Sequence, residues 1–259
     1  MKLWVVVLMI RANVHQMPVQ TRNTRGKAMA EAEFDRYAAE YRDQHEASIR
    51  LSGENSEFFA RYKIDDVAKV MLQLGQRPDR ILDFGGGIGN SVGYIREQFP
   101  ESRIVLLDPS PKSIEIAKAR FPVENGFQSY DGKDIPFPAN SFDLVFVACV
   151  FHHIPEHLQL GVLRELHRVT AKGGSLILFE HNPNNPLTNH AVRNCPFDEG
   201  AILIRAGTMR NRMARAGWSG NQITYRLFFP RALGKLRGLE RFLKRVPLGA
   251  QYYVHAVKT

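Results

Sequence analysis

A short apolar segment that runs directly into a cluster of glycines constrains the fold of this chain most. The segment reads Ile81-Leu82-Asp83-Phe84-Gly85-Gly86-Gly87-Ile88-Gly89-Asn90, and a helical pattern opens after it. Glycine lets the backbone turn tightly and approach a ligand closely, and the free N–H groups at a helix start point toward that ligand. A strand, a glycine turn and a helix in this order predict the first unit of an open α/β sheet.

The glycine spacing separates this turn from the dinucleotide-binding type. That type needs glycines at relative positions 0, 2 and 5. Position 5 counted from Gly85 is Asn90, and position 2 counted from Gly86 is Ile88. The sequence instead has Asp83 followed by glycines at alternate positions. A carboxylate at this point suits a cofactor with a positively charged amino group better than it suits a pyrophosphate.

A second acid ends the next apolar run. Leu106 and Leu107 lead into Asp108, and a carboxylate at the tip of the second strand is placed to accept hydrogen bonds from both hydroxyls of a ribose. Taken singly, each of the two acids is most simply a solvated residue at a strand end. Together, in this order and spacing, they indicate a site for a nucleoside cofactor.

Short apolar runs alternate with helical patterns through the middle of the chain. The runs lie at 80–84, 103–107, 127–130, 142–148 and 175–179, with helical patterns at 90–98, 112–120 and 157–170 between them. This alternation predicts parallel βαβ units, and uniformly apolar runs predict strands that are buried on both faces. A helical pattern at 56–74 precedes these units, and a strand at 223–229, a basic helix at 231–245 and a strand at 251–257 follow them.

The glycine turn and the two acids resemble those of the class I S-adenosylmethionine-dependent methyltransferases, and the resemblance covers residues 34–259. It implies an α/β fold with a doubly wound, Rossmann-like seven-stranded sheet, mostly parallel with one antiparallel strand, and an N-terminal helical cap. Phe151-His152-His153-Ile154 is similar to the His-His signature of the ubiquinone/menaquinone-biosynthesis type. The implied function is metal-independent, in-line transfer of a methyl group from S-adenosylmethionine to a small-molecule acceptor, leaving S-adenosylhomocysteine.

The resemblance also implies which residues form the site. Asp83 would hold the methionyl end of the cofactor, Asp108 the ribose and Asp131 the adenine amine. The implied cofactor-binding residues are Asp83, Gly85, Gly87, Gly89, Asn90, Asp108, Pro109, Ser110, Asp131, Gly132, Ala148, and Tyr37 and Tyr41 of an aromatic N-terminal helix. His152, His153 and His181 are the catalytic candidates. We expect no metal site, because no aspartate follows the fourth strand.

Two other functions stay open at this point: a catalytically silent cofactor-binding regulatory or interaction protein, and an RNA methyltransferase that uses the basic C-terminal region. Residues 201–259 hold twelve Lys and Arg against the single acid Glu240, whereas residues 31–200 are net acidic. The fourth strand ends Ala148-Cys149-Val150-Phe151 and lacks the (Asp/Asn/Ser)-Pro-Pro-(Tyr/Phe) motif of nucleic-acid amino-methyltransferases. We therefore expect a small-molecule substrate and no nucleic acid.

The basic pattern at 231–245 bears on the partner. Its main interpretation is a helix packed on the core with a solvated basic face, while an anionic or lipid-linked substrate and peripheral membrane contact remain alternatives. We expect residues 1–30 to be a disordered tail, a targeting segment, or a stretch that precedes the true first residue. We expect residues 31–259 to form a methyltransferase domain. Within that domain, 31–76 is the helical cap and 182–206 an irregular lid loop. Two cysteines and no bilayer-length apolar run predict a cytoplasmic protein.

Overall fold

The computed structural model describes Ile49, residues 52–195, Asp198 and residues 200–259. Within this part of the chain the strands are β1 Arg80–Phe84, β2 Arg103–Asp108, β3 Phe127–Ser129, β4 Phe142–Ala148, β5 Thr170–His181, β6 Ser219–Arg226 and β7 Gln251–Val257. The α-helices are α1 Ser56–Gln73, α2 Val92–Gln98, α3 Pro111–Arg120, α4 Glu156–Val169, α5 Pro186–Arg193, α6 Ala206–Arg215 and α7 Glu240–Leu243. Short 3₁₀ helices cover Phe151–His153 and Arg231–Leu239.

All seven strands belong to one sheet, in the order β3-β2-β1-β4-β5-β7-β6. β7 runs antiparallel to β5 and β6, and the other neighbours are parallel. This confirms the predicted doubly wound, Rossmann-like sheet with one antiparallel strand. The winding reverses between β1 and β4, so a crevice opens at the carboxyl ends of these two strands.

Successive side chains of the central strands enter different cores on the two faces of the sheet. Leu82 and Val145 belong to the core that α4 and α6 cover, whereas Ile81 and Leu144 belong to the core that α1, α2 and α3 cover. All four side chains are buried. Because successive strand residues point to opposite faces and both faces are covered, most positions of the central strands are apolar.

A buried ion network fixes α1 against the sheet edge. The Arg226 guanidinium in β6 pairs with Asp66 of α1, with Nη2 3.1 Å from Oδ1, and its Nη1 lies 3.5 Å from Oε2 of Glu240. Glu240 also accepts the N–H groups of Phe228 and Phe229 at 3.0 and 3.3 Å. Both carboxylates are buried, so the guanidinium between them offsets two desolvated charges. The network therefore sets where α1 directs its side chains.

The C-terminal basic segment differs from the expectation. We expected one core-packed helix over 231–245, but the structure has a 3₁₀ helix broken at Leu233, where φ is −104° and ψ is 21°, followed by the single turn of α7. No residue of that 3₁₀ helix is buried. Gly234 and Gly238 weaken a regular α-helix here. The core-packed interpretation is wrong, and the apolar side chains of this segment face outward. The neighbouring strand β6 also begins and ends before the predicted 223–229.

The segment 182–206 is more ordered than an irregular loop. It contains α5, which begins where the Asn185 side chain accepts the N–H of Thr188 at 3.0 Å and where Pro186 occupies the first turn. This Asn-Pro pair is a helix-start signal rather than a loop signal. The Asn182 amide donates to the carbonyls of Pro247 and Gly249 at 3.1 and 2.8 Å. The irregular-loop expectation is therefore wrong over α5, and the segment is tied to the chain that enters β7.

The N-terminal predictions fall largely outside the part of the chain that the structure describes. Residues 1–30 and the predicted aromatic helix with Tyr37 and Tyr41 lie outside the described residues. The domain boundaries 31–259 and 31–76 therefore stay predictions. α1 is the described helix of that cap. No described helix is both long and apolar enough to cross a bilayer.

Candidate cofactor and acceptor site

A cavity of about 360 Å³ opens at the carboxyl ends of the parallel strands. A volume in this range is typical of small-molecule sites. Its lining includes the glycine turn after β1 with Asp108 and Tyr130, and also Lys63 of α1 and the histidines that follow β4 and β5. Nucleoside-type and histidine-rich features thus share one cavity.

Two glycines of the turn are required for different reasons. Gly85 has φ +71°, and a Cβ there would lie 2.5 Å from Cγ2 of Val150, so any larger residue would collide with the chain after β4. Gly87 has φ +54°, but a Cβ there would meet nothing within 4 Å. Gly87 is thus favoured by its backbone conformation alone, and it faces the open side where a ligand can approach.

Asp108, which was predicted to bind the ribose, also stabilises the backbone of the glycine turn. Its Oδ2 accepts the N–H of Gly87 and its Oδ1 accepts the N–H of Ser110, both at 2.9 Å. The Ser110 hydroxyl in turn accepts the N–H of Ser113 and caps α3. Asp108 therefore supports the backbone of the site in addition to lining the cavity.

Asp83 has the most unusual environment of the acids in the cavity wall. It is buried, and its Oδ2 has no hydrogen-bond partner among the described residues. Burial, followed by the charge of Asp108, raises the pKa of Asp83 to about 7. Buried polar atoms normally have a partner. An unsatisfied carboxylate oxygen beside a ligand cavity fits a ligand that brings a positive, hydrogen-bond-donating group.

The predicted cofactor residues divide into two groups in the structure. Those in the cavity wall are Asp83, Gly85, Gly87, Asn90, Asp108, Pro109, Gly132 and Ala148, whereas Gly89, Ser110 and Asp131 lie beside it. Asp131 is exposed, and its Oδ1 accepts the N–H of Lys133 at 3.0 Å. Tyr130, the residue before Asp131 in the sequence, lines the cavity instead. Its ring packs on Phe84, with 5.9 Å between the ring centroids. That these residues contact the cofactor stays a prediction.

The three candidate histidines form one cluster. The ring centroid of His152 lies 4.2 Å from that of His153 and 5.2 Å from that of His181. Glu180 near the end of β5 orients the cluster, because its Oε2 lies 2.6 Å from Nδ1 of His152 while its Oε1 accepts the N–H of Phe151 at 2.7 Å. Glu180 and His152 are both buried.

Asp198 closes the cluster on its other side. Its Oδ1 lies 3.3 Å from Nε2 of His152 and 3.5 Å from Nε2 of His153. Burial opposes a charge on His152, but Glu180 and Asp198 outweigh it and raise the pKa of His152 well above its ordinary value. Burial, and then the charge of His152, lowers the pKa of His153 and of His181 to about 4.

Gln251 at the start of β7 determines which ring nitrogen of neutral His181 carries the proton. Its Oε1 accepts from the Tyr62 hydroxyl, and its Nε2 lies 3.3 Å from Nδ1 of His181. Because an amide nitrogen only donates, Nδ1 of His181 accepts and the ring proton of neutral His181 is on Nε2. In this arrangement His181 is a hydrogen-bond donor rather than a base.

Lys63 is the main site residue that the sequence analysis did not single out. Its side chain lines the cavity although the residue is only 8% exposed, and no ion-pair partner for its ammonium is found among the described residues. Its one signal in the sequence is a lysine on the apolar stripe of α1. Glu180 and Asp198 could not be recognised from the sequence, because acidic residues at strand ends and in loops are common.

Comparison with known proteins agrees with this geometry. Residues 82–178 match the family model described as a methyltransferase domain. A demethylmenaquinone methyltransferase of Thermus thermophilus is 33% identical over 117 residues, which are 44% of this chain and 52% of that protein. A trans-aconitate 2-methyltransferase of Methylobacterium nodulans is 32% identical over 154 residues, which are 58% of this chain and 56% of that protein.

Solved structures show the same fold. A methyltransferase from Thermotoga maritima superposes with a TM-score of 0.62 at 18% identity, covering 88% of this chain and 99% of that one. Residues 82–178 thus match the methyltransferase domain family, and the described sheet has the fold of a solved S-adenosylmethionine-dependent methyltransferase. S-adenosylmethionine is the cofactor of this family, and the orphaned carboxylate of Asp83 suits its ammonium group. The chain spans about half the length of the curated relatives named above.

Proposed function

We propose that this protein transfers the methyl group of S-adenosylmethionine to a small-molecule acceptor that carries an anionic group. The observation that supports this most is one cavity lined both by a buried carboxylate and by a buried lysine, each without a hydrogen-bond or ion-pair partner at the atom concerned among the described residues. The first suits the cofactor's ammonium, and the second, Lys63, suits an acceptor's anion. No observation favours the silent cofactor-binding protein or the RNA methyltransferase.

The chain's own contribution to such a reaction is mainly alignment. S-adenosylmethionine supplies an electrophilic methyl group, and the acceptor atom must approach it in line with the sulfur. Asp83 and the Gly87 backbone would hold the methionyl end of the cofactor, while Asp108 would hold the ribose. Lys63, which lines the same cavity, would hold the acceptor.

The three histidines have different roles in this proposal. His181 donates from Nε2 to the acceptor, because its Nδ1 faces Gln251. His152 is a positioning residue, since it is buried and fixed by Glu180. His153, partly exposed in the cavity wall, is the remaining candidate for contact with the reacting group.

The cofactor affinity should rise with pH because of Asp83. Its pKa in the ligand-free protein is about 7, and only the ionised form pairs with the cofactor's ammonium. Below this pKa the carboxyl must first lose a proton, so affinity falls as pH falls. We expect the affinity for S-adenosylmethionine to be about tenfold higher at pH 8 than at pH 6. Titration calorimetry at several pH values measures this.

Two controls make that titration decisive. Asp83→Asn should bind more weakly at pH 8 and lose the pH dependence. 5′-Methylthioadenosine lacks the amino-acid portion, so its binding to the unaltered protein should not depend on Asp83 ionisation. A protein that binds NADH but not S-adenosylmethionine would overturn the proposed function, whereas pH-independent S-adenosylmethionine binding would overturn only the role of Asp83.

Peripheral contact with an anionic membrane is also part of the proposal. In the segment 231–245 the side chains of Leu236, Leu239 and Phe242 are 41%, 51% and 69% exposed. Six basic residues accompany them, namely Arg231, Lys235, Arg237, Arg241, Lys244 and Arg245. Exposed leucines and phenylalanine among cations suit the headgroup region of an anionic bilayer. A lipid-linked acceptor would then be presented at the same surface.

Vesicle co-sedimentation tests this contact. We expect the protein to pellet with vesicles of phosphatidylserine and phosphatidylcholine and to stay in solution with phosphatidylcholine alone. Phe242→Asp combined with Leu239→Asp should release it. Leu72→Asp is the matched control, because Leu72 is 80% exposed on α1 and lies outside this segment. Equal pelleting of the double variant and the unaltered protein would rule the membrane contact out.

A further inference from the structure

We propose that His152, His153 and Asp198 bind a divalent metal ion of the zinc class at the edge of the cavity. Each residue offers one ligand atom, and these atoms lie within 4.8 Å of one another. The two histidines follow β4 and the aspartate lies in the segment after α5, so the tertiary fold assembles the group. The sequence predicted no metal site, because no aspartate follows the fourth strand.

The spacing of the ligand atoms fits a tetrahedral ion. Nitrogen and oxygen ligands about 2.0–2.2 Å from a tetrahedral zinc ion lie about 3.3–3.6 Å from one another. Oδ1 of Asp198 lies 3.3 Å from Nε2 of His152 and 3.5 Å from Nε2 of His153. Two of the three distances between ligand atoms therefore match a tetrahedral ion, and the third lies within 4.8 Å.

The surroundings of His152 are those of a metal ligand. Metal-binding histidines usually donate their second ring N–H to a carboxylate, which fixes the tautomer and the ring orientation. Nδ1 of His152 lies 2.6 Å from Oε2 of Glu180, which is fully buried and anchored by the N–H of Phe151. With Nδ1 held by Glu180, a metal ion would take the place of the ring proton between Nε2 of His152 and Oδ1 of Asp198.

Three protein ligands leave at least one coordination position open. Such openness distinguishes catalytic zinc sites from structural ones, which have four protein ligands. All three residues line the cavity that Lys63 also lines, so an ion held there would be available to a ligand in that cavity. That the ion holds an oxygen of the acceptor rests on the proposed function, but binding of the ion does not.

Metal titration of the unaltered protein, stripped by chelator and dialysed, tests the site. We expect one zinc ion per chain by calorimetry, and one cobalt ion with the intense visible absorption of tetrahedral Co²⁺. Asp198→Asn and His153→Ala should each abolish stoichiometric binding. Glu180→Gln keeps the shape but weakens the orienting contact, so it should lower the affinity about 10–100-fold.

Two controls separate this site from other binding. His157→Ala is the matched histidine variant, because His157 is exposed on α4, and it should bind metal like the unaltered protein. Cys149 and Cys195 also line the cavity, so Cys149→Ser and Cys195→Ser test a sulfur ligand. A sulfur-to-cobalt charge-transfer band lost in either variant would overturn the proposed ligand set, as would unchanged binding by Asp198→Asn.

Calorimetry with S-adenosylmethionine on the same samples distinguishes the two proposals. Cofactor binding without stoichiometric metal binding overturns the metal site alone. Metal binding without cofactor binding supports the metal site and overturns the proposed function.

Discussion

Replacing Arg226 with methionine will lower the free energy of unfolding by about 3–5 kcal/mol, the cost of leaving buried charges without their partner. Asp66 and Glu240 are buried on either side of the guanidinium, and methionine fills similar space without charge. Lys69 remains 3.4 Å from Asp66, but it is exposed and cannot replace a buried partner. Urea denaturation followed by circular dichroism measures the change.

An exposed arginine of α1 provides the control. Arg61 pairs with Glu97 at 2.5 Å, but both side chains are about half exposed, so solvent screens the pair. Arg61→Met should leave the denaturation midpoint nearly unchanged. Equal effects of the two substitutions would show that the Arg226 network does not anchor α1.

Replacing Lys63 with methionine will reduce kcat/KM for an anionic acceptor about 30-fold or more, because removing one partner of a buried charge pair costs about 2–5 kcal/mol. The affinity for S-adenosylmethionine should stay the same, since the proposal assigns the cofactor's ammonium to Asp83 and not to Lys63. The ligand-free protein should become more stable, because the variant no longer buries an unpaired ammonium. Transfer of labelled methyl groups to a panel of small carboxylic acids, with paired uncharged amides, measures the first effect.

Lys69→Met is the matched control, because Lys69 lies on the same helix but is exposed. It should leave methyl transfer unchanged. Equal preference for carboxylates and amides before and after Lys63→Met would remove the anionic acceptor from the proposed function. The cofactor titration described above would stand independently of that result.

Local sequence was sufficient where a pattern maps onto one element and its neighbours. Uniformly apolar runs such as 144–147 predicted strands covered on both faces, and the structure confirms this. The glycine turn at 85–89 was readable because a positive φ and a close approach both demand glycine. The same logic failed over 231–245, where an amphipathic pattern predicted burial. Periodicity shows that a segment has an apolar face but not what lies against it.

The histidine cluster shows the same division within the site. His152 and His153 were identifiable as an adjacent pair, and His181 as the residue at the end of β5. Their partners were not, because Glu180 and Asp198 approach them only through strand pairing and the path of the segment after α5.

What the sequence determined by itself was therefore the succession of strands and helices and the glycine turn, because these depend on local patterns of residues. The tertiary structure alone decided the acceptor side. Lys63 of α1 reaches it because the Asp66–Arg226–Glu240 network docks α1 on the strand edge, and Gln251 reaches it because β7 pairs with β5. Such long-range contacts leave no period or spacing in the sequence, since each joins segments whose separation along the chain is arbitrary.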